Sequence, residues 1–210
     1  MTEIEGRQVG VLPDIHLRKA IDAGHVSADP FRIPDRSIQP ASLDLTLGRR
    51  AYRLRCSFLP DTKDVAEKLA EHSMGEVDLR DDGGILERNR PYLIPLREQL
   101  ALPPTIRAKA NPKSSTGRLD IFTRVITDRS FRFDEVGAGY HGQLYLEVVS
   151  RSFTIRVKEG LSLNQLRLMV GEPRVDDAEI HSLHGRDPIL YLGQDPVPAA
   201  DLTVSDGLFL

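Results

Sequence analysis

The sequence predicts a mainly β fold, a barrel, roll or sandwich of short strands with one helix near its N-terminus and a small helical insertion. Three observations lead there. Beyond Gly84 apolar residues recur at every second position in short runs, and Gly, Pro, Asn and Asp punctuate those runs. Only two stretches carry helical spacing. The chain has 210 residues, 40% of them hydrophobic and 28% charged, enough to bury a sizeable core without disulfide or metal staples.

The first element is "LPDIHLRKAIDAGHV", where Leu17, Ala20 and Ile21 fall at i, i+3 and i+4, Asp14 stands as the cap and Gly24 as the stop, which predicts a helix. In "IQPASLDLTLG" the period becomes two. Leu43, Leu45 and Leu47 alternate with Asp44 and Thr46 up to Gly48, the pattern of a half-buried strand. A second short helix is expected in "DVAEKLAEH", where Val65 and Leu69 lie one turn apart inside a charged, turn-rich insertion. The segments "YLIPL", "TIRAKA", "LDIFTRVITD", "GQLYLEVVS", "FTIRVKEG" and "LSLNQLRLMV" then read as strands. Pro103, Pro104 and Pro112 fall at their ends, where a missing donor is tolerated. The expected organisation is a helical extension over 1–34, a β domain over 35–175 and a C-terminal segment over 176–210. That segment finishes on apolar residues resembling the start of another strand, so it is expected to lead into a further domain.

A formal net charge of −3 gives no general attraction to nucleic acid or a membrane surface, so an anionic ligand has to be held by a local site. Cys56 is the only cysteine, which rules out an intramolecular disulfide and a thiolate-rich metal site; in "RLRCSFL" it reads as a small strand residue. No apolar run approaches the ~20 residues of a membrane span, and "MTEIEGRQVGVLPD" has neither the pattern of a signal peptide nor that of a transit peptide. A cytoplasmic protein is expected. None of the six histidines begins an H-x-E and there is no P-C-x-x-C, so the zinc nucleobase deaminase signature is absent and no protein-bound metal or zinc is expected.

Two stretches carry residues suited to chemistry. "NPKSSTGRLD" places Ser114 and Ser115 between Lys113 and Arg118, with Gly117 in the same turn. Hydroxyls, loop amides, a point charge and a planar fork together suit an anion, although a plain polar turn has the same composition. It is neither a Walker loop nor a dinucleotide fingerprint. In "GYHGQLYLEVVS" the alternation puts Leu144, Leu146 and Val148 on one face and Tyr145, Glu147 and Val149 on the other. A carboxylate set among apolar neighbours on a strand can become a tuned acid/base, or can simply be a salt-bridged edge residue. Asp134, before a glycine-rich turn, suits a sugar hydroxyl or the start of the turn itself. Asn164 and Gln165 lie within an apolar strand, where buried amides need partners.

Taken in order, "IQPASLDLTLG", "KSSTGRLDI", "FRFDEVGAGYHGQLYLEV" and "GLSLNQLRL" resemble the successive motifs of the metal-independent dCTP deaminases, which share a fold with the trimeric dUTPases. The resemblance spans roughly residues 38 to 170 and implies a dUTPase-like distorted barrel or jelly roll. Together with the helical N-terminus and the insertion, it points to the first half of a longer bacterial form with two related domains. It implies a nucleotide-binding segment at Lys113, Ser114, Ser115, Thr116, Gly117 and Arg118. It also implies substrate contacts at Arg132, Asp134, Tyr145 and Leu146, a catalytic Glu147, and a phosphate-closing tail that includes Tyr191 and Gln194.

The activity so implied is hydrolytic deamination of dCTP to dUTP and ammonia, a hydrolase reaction at a cyclic amidine C–N bond that feeds dTTP synthesis. Glu147 would shuttle the proton, with Ser114 and Arg118 beside it. Mg²⁺ would arrive on the substrate triphosphate, and the assembly would be a homotrimer or use a tandem second domain. A dUTP pyrophosphatase, a bifunctional enzyme and a noncatalytic nucleotide-binding or assembly domain stand as alternatives.

Overall fold

The computed structural model describes residues 9–171, 175–205 and 207–209, and divides into two compact units, 1–171 and 172–210. In chain order the first unit begins with β1 (Gly10–Val11), α1 (Asp14–Asp22) and β2 (Val26–Ser27). A single 3₁₀ turn leads to β3 (Ile38–Gln39), β4 (Ser42–Thr46) and β5 (Arg50–Leu54), then α2 (Val65–His72) runs directly into β6 (Ser73–Asp78). There follow β7 (Gly84–Leu86), β8 (Tyr92–Ala101), β9 (Ile106–Pro112), the one-turn α3 (Ser114–Arg118) and β10 (Ile121–Ile126). β11 (Glu135–Val136), β12 (His141–Ser150), β13 (Ile155–Val157) and β14 (Ser162–Val170) complete it.

These strands form two six-stranded antiparallel sheets, and β7 pairs with β13 in a separate two-stranded one. One runs β11-β9-β14-β4-β3 with β1 added to β14, and the other runs β10-β12-β8-β5-β6 with β2 added to β8. The alternation read from the sequence supplies the core between them. Leu43, Leu45, Ala108, Leu166 and Leu168 come from the first sheet; Ile94, Leu96, Val125, Leu144, Leu146 and Val148 come from the second. A fully buried leucine or valine is worth about 1.5–3 kcal/mol, so this slab accounts for most of the favourable term. The fold is therefore the mainly β one that the sequence predicts. Residues 10–27, within the expected N-terminal helical extension, place Leu12, Leu17, Ala20 and Val26 in this same core.

Local details differ from expectation for physical reasons. Pro13 is the N-cap of α1 and Asp14 its first helical residue, where a carboxylate favours the positive end of the helix. β4 is buried along its whole length. Its polar residues face partners: Thr46 donates from N and Oγ1 to Glu98 at 2.8 and 2.7 Å, and Asp44 pairs with Lys113. Cys56 lies beyond the end of β5 and is exposed, its Sγ 3.8 Å from His72 Nδ1.

Helix α2 and the turn after β10 hold each other. Asp128 Oδ1 accepts from Val65 N at 2.7 Å at the start of the helix, and Arg129 Nε donates to Asp64 Oδ1 at 3.1 Å. Arg129 N donates to Lys63 O and Asp61 N to Ser130 O, at 3.0 and 3.1 Å. Val65, Phe58 and Leu54 pack with Leu93 and Ile126, while Leu69, Phe133 and Tyr145 border them. This second apolar cluster covers part of the outer face of the β10-β12-β8 sheet.

The second unit contains α4 (Asp177–Arg186) and two small hairpins, β15 (Tyr191–Leu192) with β16 (Asp195–Pro196) and β17 (Val204–Ser205) with β18 (Leu208–Phe209). The buried His184 bonds Val197 O at 2.7 Å and accepts from Ile189 N at 3.1 Å, joining the helix to the segment after it. The break between units falls at Gly171, slightly before the expected boundary at 175. No helix among the described residues is long and apolar enough to cross a membrane.

Candidate active site

Glu147 lies in the middle of β12, paired on one side with Leu93 of β8 and on the other with Arg124 of β10. The strand period turns Tyr145, Glu147 and Val149 away from the main core, as the sequence predicts, and sets them beside Ile126, Arg124 and Phe122 of β10. Glu147 is nonetheless fully buried, at 0% exposure.

Its charge is met by Arg124. Both Nε, at 3.1 Å, and Nη2, at 2.5 Å, donate to the same carboxylate oxygen, Oε1. Nη2 also donates to Ser57 Oγ at 2.7 Å. The guanidinium lies 3.7 Å from the centroid of the Phe133 ring and 5.0 Å from that of Phe122. The other carboxylate oxygen, Oε2, is buried and has no hydrogen-bond partner among the described residues. Leaving such an acceptor unsatisfied costs about 1–3 kcal/mol, more for a charged group, so the arrangement is built to receive a donor. Glu147 and Arg124 line a cleft of about 540 Å³, together with Gly117, Asp120, Phe122 and Arg151.

Asp134 stands in the turn between β10 and β11, in the left-handed region at φ 62°. It closes that turn on Val125: its N donates to Val125 O at 2.9 Å and its Oδ1 accepts from Val125 N at 2.7 Å. Desolvation pushes its carboxyl up to about 6, aided by the charge of Glu147 and opposed by the Val125 hydrogen bond and by Arg124. The Asp134 titration is thereby coupled to the Arg124 and Glu147 pair.

The other expected site residues are more dispersed. "NPKSSTGRLD" is not a turn but contains the single helical turn α3. Gly117 reaches the cleft, whereas Thr116 is buried and lines a different one together with Ser115. Ser114, Ser115 and Arg118 are exposed and make no side-chain hydrogen bond to the described residues. Lys113 turns to Asp44 in a different cleft, one that Glu98 and Arg97 also line. The guanidinium beside Glu147 therefore belongs to Arg124 rather than to Arg118, because strand register places Arg124 directly opposite. Tyr145 is half-buried in the second apolar cluster, whereas Leu146 points into the main core and its neighbours in the ladder are Val125 and Ile94. Arg132 is exposed and paired with Glu135 Oε2 at 3.2 Å, on the rim of a cleft of about 740 Å³. Tyr191 and Gln194 are exposed at the β15-β16 hairpin of the second unit.

Arg124, Ser57 and Phe133 are the residues that sequence reasoning passed over. A lone arginine in the apolar strand "IFTRVI" was the available signal for Arg124. Asn164, expected to need a core partner, donates from Nδ2 to Thr123 Oγ1 at 3.1 Å and joins the two sheets. Among the described residues no group of three or more His, Cys, Asp or Glu is arranged to hold a metal ion.

Comparison with known proteins gives a consistent result. The family model described as the 2'-deoxycytidine 5'-triphosphate deaminase N-terminal domain matches residues 8–172. A protein of Methanothermobacter thermautotrophicus named "dCTP deaminase, dUMP-forming" is 30% identical over 142 residues, which is 67% of this chain and 68% of that one. One of Natronomonas pharaonis named "dCTP deaminase" is 25% identical over 158 residues, covering 74% and 78%. The crystal structure of a 2'-deoxycytidine 5'-triphosphate deaminase from Agrobacterium tumefaciens matches with a TM-score of 0.81 and 44% identity over 87% of this chain. The match spans only 54% of that protein's length.

Proposed function

The chain belongs to the family of 2'-deoxycytidine 5'-triphosphate deaminase N-terminal domains, and from that premise we propose that it catalyses the hydrolytic deamination of dCTP to dUTP and ammonia. The observation that carries this reading is the buried Glu147, with one oxygen held by Arg124 and the other unpartnered at a cleft. Water attacks C4 of cytosine as Glu147 takes its proton. Glu147 delivers that proton to N3 of the ring, then takes the proton of the new C4 hydroxyl and passes it to the amino group, so that the C4–N4 bond breaks, ammonia leaves and the C4 carbonyl forms. Acid/base help of this kind is worth about 10²–10⁴ in rate.

In this reading Asp134 holds the sugar, and Lys113, Ser114, Ser115 and the α3 amides serve the triphosphate, which brings its own Mg²⁺. The exposed, uncommitted side chains of Ser114, Ser115 and Arg118 fit a site completed by another body. That body is a second copy in a homotrimer, or a related domain following this one. The tail residues Tyr191 and Gln194 would close over the phosphates, in a cytoplasmic enzyme of the hydrolase class.

A second reading has one specific support: the Methanothermobacter thermautotrophicus and Beutenbergia cavernae relatives are named dUMP-forming. In it the same site also cleaves dUTP to dUMP and pyrophosphate. Incubation with Mg·dCTP and with Mg·dUTP, followed by resolution of products, separates the two. dUTP and ammonia from dCTP alone mean a deaminase, and dUMP from both substrates means a bifunctional enzyme. Glu147→Gln should abolish deamination and leave nucleotide binding within about threefold; substantial retained turnover refutes the role given to Glu147.

A further inference from the structure

A wholly buried carboxylate keeps its charge only where a cation or several donors replace the water it has lost. For Glu147 that replacement is one side chain, used in an unusual way. A guanidinium commonly grips a carboxylate with one donor per oxygen. Here Nε and Nη2 of Arg124 converge on Oε1, at 3.1 and 2.5 Å, and Oε2 is left buried without a partner among the described residues. The two oxygens are therefore not equivalent.

We propose that Arg124 is a positioning residue for the deamination: it balances the charge of Glu147, pins Oε1, and reserves Oε2 as the oxygen that takes the proton from the attacking water. This rests on the deaminase reading above. It adds an account of which carboxylate oxygen reacts and what holds it there.

The surroundings of Arg124 fit such a task. Ser57, from the segment ahead of α2, accepts from Nη2, and the guanidinium carbon lies over the Phe133 ring, 3.7 Å from its centroid. Ser57 and Phe133 come from segments flanking the clasp between α2 and the turn after β10, which four bonds hold shut: Val65 to Asp128, Arg129 to Asp64, Arg129 to Lys63 and Asp61 to Ser130. The remaining charged groups that face Glu147 are Asp134 on the turn and, across the cleft, Asp120 and Arg151. Asp120 is engaged by Ser152 Oγ at 2.6 Å, and among the described residues Glu147 is hydrogen-bonded through its side chain to Arg124 alone. Arg151 lines the same cleft but makes no hydrogen bond to Glu147.

The test compares the wild-type chain with Arg124→Gln, Arg124→Lys and Ser57→Ala. The carboxyl ¹³C resonance of Glu147, identified by its loss in Glu147→Gln, is compared among the variants at one neutral pH in the absence of nucleotide. Arg124→Gln, which removes both donors to Oε1, should displace it, and Arg124→Lys should displace it by less. With Mg·dCTP, Arg124→Gln should lower kcat about 10²-fold or more with KM within about threefold. Arg124→Lys should keep most of the charge effect and still lose kcat, because an ammonium cannot direct two fixed donors to one oxygen. Ser57→Ala, which leaves the ion pair whole, should lower kcat by less. If Arg124→Gln does not fold, the lysine and Ser57 variants carry the same comparison. An unchanged Glu147 resonance in Arg124→Gln, or full kcat in Arg124→Lys, overturns the proposal. A wild-type chain that turns over no dCTP overturns the deaminase reading instead, since the resonance is read without substrate.

Discussion

Asp134→Asn should stabilise the free protein at neutral pH while damaging its site. The aspartate is part-buried and its carboxyl is pushed from 3.8 to about 6, first by desolvation. A folded-state value above the unfolded one means that the folded protein binds the proton more tightly, so stability falls as pH rises through the window between the two values. A shift of about 2 units corresponds to about 3 kcal/mol across the full window. Asp134 keeps some contact with solvent, and screening reduces this to roughly half, about 1–1.5 kcal/mol. Asparagine removes the titrating charge and keeps an oxygen for the Val125 N–H, which lies at 2.7 Å in the wild type. It also tolerates the left-handed backbone at φ 62°.

The assay is urea unfolding of both proteins at about pH 4.5 and about pH 7 without nucleotide, read as a difference of differences. Glu98, whose carboxyl is also raised by burial, contributes equally to both proteins and cancels. The variant should gain about 1 kcal/mol over wild type on going from the lower to the higher pH. Equal pH dependence in the two proteins, or a variant that loses ground as pH rises, would refute the assignment of a destabilising buried charge at this position.

Three further outcomes follow from the packing. Glu98→Ala strips the acceptor from Thr46 N and Oγ1 and should cost about 2–4 kcal/mol of unfolding free energy, whereas Glu98→Gln should cost about 1 kcal/mol or less. Gly48→Ala would drive a Cβ into the carbonyl oxygen of Pro95; a loss of about 1–3 kcal/mol in urea titration is expected, and a neutral result would mean that the β4 to β8 approach can relax. Asn164→Leu removes the polar link to Thr123 and should cost about 1–3 kcal/mol by leaving a buried hydroxyl unpaired, with Thr123→Val combined with Asn164→Leu recovering part of that loss.

The strands were legible because alternation is a property of the chain alone: the apolar runs of β8, β9, β10, β12 and β14 all lie where the period of two placed them. Depth of burial was not. Asp44 and Thr46 read as the solvent face of β4, and only the arrival of Lys113 and Glu98 from distant segments makes that face an interior. The same limit applies at the site. Glu147 could be found from its strand and from family motifs, but its partner was expected within "KSSTGR". The actual partner follows from a register between β10 and β12 that is fixed by pairing Ile121 to Ser150 and Ile126 to Tyr145. The strand β6 was missed because its exposed residues alternate with no apolar face.

What separates the site from the scaffold is how each buried carboxylate is satisfied, not the fact of burial. Glu98 accepts two hydrogen bonds from Thr46, one on each oxygen, and so ties β4 to β8 as a structural group. Asp134 is part-buried and its carboxylate accepts one bond from Val125, and desolvation pushes its carboxyl up to about 6. Glu147 has a cation on one oxygen and nothing on the other, although it is the most deeply buried of the three. An unpaired acceptor at full burial is costly in the free protein and rewarded only when a donor arrives. A water or an amino group entering the Arg124 cleft supplies that donor, so the position least favourable to stability is the one to which the chemistry is assigned.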